Sequence, residues 1–196
     1  MRILVDAGHG IDTPGKRSPD GVFREYLWNR QVADLLVSRL RDSGMDADLV
    51  VTETNDIPLR TRAMRVNRVC DRLGAANVLL LSVHANAAGD GRRWMTATGW
   101  ECHTTPGNTR ADRLAECMYD AFSHAFPHKR MRRDLSDGDS DKESNFYILA
   151  KTKCPAVLLE NFFYDNMDEC PWLLLDTTKA KIADAIVDGV LRFLER

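Results

Sequence analysis

The chain has no pair of cysteines at the C-x-x-C spacing of a zinc or redox motif, and its five cysteines (Cys70, Cys102, Cys117, Cys154, Cys170) are odd in number. A disulfide framework and a cysteine-held metal are both disfavoured, and free, mostly buried thiols are expected. No apolar run approaches the roughly 20 residues of a membrane-crossing helix. The opening MRILVDAGHG has one arginine before a short apolar run broken by Asp6, without the long apolar stretch and cleavage site of a secretory signal. That predicts a soluble protein made in the cytoplasm, with no membrane insertion. Excess positive charge is also missing: 27 Lys and Arg against 29 Asp and Glu give a net charge of -2, which argues against a nucleic-acid partner. With no repeats and no Pro- or Gly-rich linker, 196 residues predict one domain over 1–196 around one core.

Short apolar runs suited to buried strands alternate with helical patterns. The strands are expected at 2–6, 47–52, 77–84, 97–103, 145–150 and 155–160. Trp28, Val32, Leu35, Leu36 and Leu40 recur at helical spacing before Gly44, a second helix covers 57–73 before Gly74, and a third covers 108–126 before Pro127. The last runs from about Thr178 to the end, with Ile182, Ile186, Val190, Phe193 and Leu194 on one face. The fold class is therefore α/β: a central mixed, mostly parallel sheet of about six strands flanked by helices on both faces. One segment stands apart. In 128–144, HKRMRRDLSDGDSDKES, a basic cluster passes into an acidic one with almost no apolar content, so a solvated loop is the default and a border of a substrate groove the alternative.

Candidate chemistry lies where apolar runs stop. His9 ends ILVDAGHG, His84 ends NVLLLSVHAN and Glu160 ends PAVLLEN, while Glu25 opens the helix after the first run. In open α/β sheets ligands bind outside the carboxyl ends of the strands, so parallel strands would bring the first three side chains to one rim. Two neutral imidazoles and a carboxylate leave one position of a tetrahedral metal open, and a second carboxylate can move a proton. The Gly-x-Gly around His9 could instead turn round a phosphate, but neither GxGxxG nor GxxxxGK[ST] follows. Glu160 ends a strand apolar enough to be buried on both faces, where an idle carboxylate is costly. His124 and His128 have helical metal-pair spacing, yet Pro127 between them breaks the helix and makes them surface residues. Glu25 cannot be singled out by pattern, because a carboxylate in a first helical turn is ordinarily just favoured by the helix dipole.

The ordered set DAGHG at 6–10, GVFRE at 21–25, RAMRVN at 62–67, SVHAN at 82–86, GWECH at 99–103 and PAVLLENFFYDN at 155–166 resembles the zinc-dependent N-acetylmuramoyl-L-alanine amidases of the type 3 family, nearly end to end. The resemblance implies one Zn²⁺ per chain held by His9, Glu25 and His84, and Glu160 as the catalytic carboxylate. It implies peptidoglycan as substrate, with cleavage between the lactyl group of N-acetylmuramic acid and the L-alanine of the stem peptide. It also implies action at the cell wall, as an autolysin or a phage or prophage endolysin. Two departures stand out. The family often reads E-x-G-F where this chain has Glu160-Asn161-Phe162-Phe163, and Cys102 and His103 stand where an aromatic residue is common. Rival readings are a carboxypeptidase-like zinc hydrolase, with Arg62 or the 129–133 cluster receiving a terminal carboxylate, and a silent wall-binding module.

Overall fold

Three apolar runs form the middle of one sheet. In the computed structural model, which describes residues 1–195, β1 (Arg2–Ala7), β3 (Val78–Asn86) and β6 (Ala156–Phe163) lie side by side and parallel. β2 (Asp46–Leu49) extends the parallel set beyond β1, and β4 (Glu101–Thr104) pairs antiparallel with β6 and carries β5 (Lys142–Glu143) outside it. The order β2-β1-β3-β6-β4-β5 is a mixed, mostly parallel sheet.

Strand alternation divides the core in two. Ile3, Val5, Leu79, Leu81, Val157 and Leu159 face the layer of α1 (Glu25–Asp42), α3 (Arg110–Ala125) and α6 (Asp176–Glu195). Leu4, Leu80 and Leu158 face α2 (Leu59–Leu73) and α4 (Tyr147–Ala150). Helices thus cover both faces, and a fully buried side chain such as Leu36 or Ile186 contributes about 1.5–3 kcal/mol. Caps agree with the sequence: Thr109 and Asp112 form a capping box for α3, and Gly74 follows α2 at φ 85°.

Some boundaries differ from expectation. The run 145–150 is not a strand: Tyr147–Ala150 is one helical turn that buries Ile148 and Leu149 and leaves Phe146 and Tyr147 exposed. The strand expected at 97–103 starts only at Glu101, and the short α5 (Glu169–Leu174) was not foreseen. β3 and β6 continue past His84 and Glu160 to Asn86 and Phe163. On α6, Leu194 is half exposed rather than part of the buried face, and the final residue, 196, lies outside the described residues. Among the described residues no helix is long and apolar enough to cross a membrane.

Candidate active site

His9 follows β1 directly and adopts a left-handed backbone, φ 62°, which is unfavourable for a residue with a Cβ. Two arginines hold it there. Arg30 donates to the His9 carbonyl at 2.9 Å and Arg62 at 3.2 Å. The flanking glycines serve close approach: a Cβ on Gly8 would lie 2.1 Å from the His84 ring, and one on Gly10 would lie 1.9 Å from the Asp56 nitrogen. The Gly-x-Gly is thus explained by packing, of Gly8 against the His84 ring and of Gly10 against the Asn55–Asp56 backbone.

Glu25 is the first residue of α1 and is 1% exposed. Its Oε1 is 3.0 Å from His84 Nδ1 and 3.4 Å from His9 Nε2, and the two rings stand perpendicular with centroids 5.0 Å apart. One ligand atom from each of the three residues lies within 4.8 Å of the others, a grouping that could hold a metal ion. Burial alone would raise the Glu25 carboxyl, but hydrogen bonds and charge from His84 and His9 outweigh it and hold the group well below the usual range. Burial pulls His84 down, and Glu25 overcomes this to raise it. Glu25 Oε2 is buried without a hydrogen-bond donor among the described residues, with Lys16 Nζ 3.9 Å away.

Glu160 faces His84 across the β3–β6 pairing. Beyond it three residues of β6 span two of β3, a bulge at Asn161 and Phe162. Phe162 sits at φ 64°, where the family often has glycine, and is held by packing against Trp172 and Phe126, with ring centroids 4.9 and 5.5 Å away. Asn161 steadies the bulge by donating to the His84 carbonyl at 2.8 Å. Burial pushes the Glu160 carboxyl up to about 8; nearby Glu25 and Glu101 add to the rise and His84 opposes it.

Glu101 was missed as a site residue, although GWECH was visible. It lies opposite Glu160 on β4 and accepts from Arg132 and Lys142 at 2.6 Å and from Asn86 at 2.8 Å. These contacts and His103 outweigh burial and keep it ionised. No local pattern could reveal this, since the pairing joins residues 31 and 41 positions apart. The 128–144 segment accordingly divides: Arg132 and Lys142 reach the wall beside Glu160, while 133–138 are exposed. His124 and His128 are both exposed. Arg62, a candidate receptor for a terminal carboxylate, is 1% exposed and already bonded to Asp6, Asp56 and three carbonyls.

The His9–Glu25–His84 trio lies between two hollows. One, about 400 Å³, is lined by Ile57, Leu59, Phe146 and Tyr147 together with His9, His84 and Glu160. The other, about 300 Å³, is lined by Gly15, Asn86 and Tyr164 together with Glu25 and Glu160. A substrate with two arms can lie across the trio with its reacting centre in the middle.

A family model described as N-acetylmuramoyl-L-alanine amidase matches residues 3–192. The chain belongs to that family. Among relatives of this amidase family, the endolysin of Bacillus phage SPP1 is 25% identical over 98% of the chain and 65% of its own length. N-acetylmuramoyl-L-alanine amidase LytC of Bacillus subtilis (strain 168) is 28% identical over 97% of the chain and 35% of its own length. The chain thus spans about two thirds of one relative and a third of the other. The crystal structure of N-acetylmuramoyl-L-alanine amidase from Clostridium difficile 630 superposes with a TM-score of 0.80 at 28% identity, covering 99% of this chain and 96% of that one.

Proposed function

We propose that this amidase-family chain is a single catalytic domain that hydrolyses peptidoglycan at the amide between the N-acetylmuramic acid lactyl group and L-alanine, using one zinc ion. The observation that carries the reading is the placement of Glu160 directly across from His84, beside a trio of ligand-type atoms. The donor set fits a metal: two imidazoles, a carboxylate and an orphaned Glu25 Oε2, with room toward both hollows. Two nitrogens and an oxygen suit zinc better than a purely oxygen-seeking cation. His9, Glu25 and His84 would hold it. Bound there, it supplies Lewis acidity that makes water nucleophilic near neutral pH and polarises an amide carbonyl.

The chain's own residues do the rest. Glu160 accepts the proton of the attacking water and returns it to the departing amide nitrogen, so the amine leaves neutral. Its raised pKa favours holding that proton between the two transfers, and any positive charge gathered at the trio restores the ionised form. Arg132 and Lys142 neutralise Glu101, so Glu160 need not face an unbalanced second carboxylate. The carboxypeptidase reading loses Arg62 as a receptor because that guanidinium is buried and fully engaged. A silent wall-binding module would not need a strained His9, a bulge and a poised Glu160.

Action at the bacterial cell wall follows from this substrate. Digestion of purified peptidoglycan with zinc-loaded protein should release stem peptides with new L-alanine amino termini from full-length glycan strands, read by mass spectrometry. Intact lactyl-alanine linkages after prolonged digestion would defeat the proposal.

A further inference from the structure

Asp137, Asp139, Asp141 and Glu143 alternate around Gly138 in the segment whose composition stood apart. Consecutive residues in extended chain point to opposite faces, and here that separates two charges. Lys142 turns to the groove side and meets Glu101, whereas Asp141 turns to the α3 side and meets Thr104. Asp141 is 1% exposed. Its Oδ2 accepts from Thr104 Oγ1 at 2.5 Å, but its Oδ1 is buried with no donor among the described residues. Asp139 Oδ1 is buried and without a donor in the same way, and the two carboxyl groups are close enough to interact directly.

The surroundings add negative charge. Asp112 and Glu116 on α3 and Asp137 on the loop all act on this pair in the same direction. Arg133 does not relieve it: its guanidinium bonds Ser140 and Ser123 and lies 3.9 Å from Glu116. Burial pushes Asp141 up to about 7, with Asp139 adding to the rise. Two carboxyl groups within hydrogen-bonding reach of each other and short of donors are costly unless a proton or a cation sits between them.

We propose that Asp139 and Asp141, with Thr104 Oγ1, form a second metal site that takes a hard divalent cation of the calcium type. The donors are all oxygen, the combination that calcium prefers and zinc does not require. The site is separate from the His9–Glu25–His84 trio and lies on the other face of the sheet edge. Its cation fastens β5 to β4, and β5 carries Lys142 to Glu101 and leads to Ser144, whose Oγ is 2.9 Å from His103 Nδ1. Occupancy therefore stiffens the groove wall next to Glu160.

The test is a terbium titration of the full chain, exciting Trp100 and Tyr119, followed by competition with calcium. Saturable emission displaced by calcium is expected for the parent protein and for His84→Ala, with affinity at least tenfold weaker in Asp139→Asn. Calcium should also raise the melting temperature of the parent protein by several degrees and leave Asp139→Asn unmoved. Asp139 is only partly buried, so this variant should fold; Asp141→Asn is the companion. No saturable emission, or equal affinity in Asp139→Asn, would overturn the proposal. So would an Asp141→Asn protein more stable than a calcium-indifferent parent, which would mean that the pair shares a proton instead.

Discussion

Glu25 and Asp141 are each 1% exposed and each keeps one oxygen away from any donor among the described residues, yet their carboxyl groups shift in opposite directions. Glu25 is held far below the ordinary carboxylate range, and Asp141 is pushed up to about 7. Burial acts upward on both, so the difference comes from the neighbours: two imidazoles at one site, a second carboxylate at the other. The first trio combines nitrogen and oxygen donors at the rim of the parallel strands. The second group is all oxygen at a sheet edge. Donor chemistry, more than burial, separates the two groups.

Removing the groups proposed to act at the first site should have the largest effect. Glu160→Gln keeps the shape but cannot exchange the proton, so turnover on purified peptidoglycan should fall by about 10²–10⁴ while zinc content stays at one per chain. His84→Ala should lose both the zinc and turnover. Metal analysis beside activity separates the two, and a Gln variant without metal would make Glu160 a ligand.

Next in size is Arg62→Met. It leaves Asp6, itself 1% exposed, without its 2.9 Å partner and frees one of the two donors that hold His9 in its left-handed conformation. Breaking one half of a buried ion pair costs about 3–5 kcal/mol, measurable as a lower urea midpoint. A loss below 1 kcal/mol would show that Asp6 finds another partner, Ser82 being already within 3.0 Å.

Phe162→Gly sets strain against packing. Glycine relieves the positive φ, a gain of about 1–3 kcal/mol, but loses a fully buried ring whose truncation costs about 3–5 kcal/mol. A modest net destabilisation is expected. Greater stability would show that the aromatic cluster of Phe126, Phe162 and Trp172 is the less important side of the exchange.

These sites were legible in the sequence to different depths. β1, β3 and β6 are buried on both faces, so their apolar runs stood out, as did the polar residues His9, His84 and Glu160 near their ends. Glu25 came only from the family resemblance, because a first-turn carboxylate looks the same whether it serves a metal or a helix dipole. Phe-Tyr-Ile-Leu at 146–149 looked like a strand because one turn is too short to show a helical period, and only the fold shows that the turn buries Ile148 and Leu149. Lys142–Glu143 has no apolar content, so an edge strand there was invisible. Glu101 and the Asp139–Asp141 pair depend on register between distant segments, which local patterns do not contain.

The smallest expected effect sharpens the comparison from the second site. Asp141 has a folded pKa of about 7 against an ordinary 3.8, so the proton is bound more tightly in the folded state. Its contribution to stability is fully present below pH 3.8 and is lost as the pH rises toward 7. In chelator, the parent protein should therefore lose melting temperature relative to Asp141→Asn across that window. Using the difference between the two proteins removes the opposite slopes of Glu25 and Glu101, whose lowered carboxyls gain stability as pH rises. Because Asp139 and Asp112 also act on Asp141, and Asp137 and Glu116 act on Asp139, the curve reports the acidic pair as a unit. Added calcium competes with that proton, so its stabilising effect should grow from pH 5 to pH 8. A flat difference curve would mean that Asp141 is ionised at low pH like an exposed carboxylate. A calcium effect independent of pH would place the cation away from the pair.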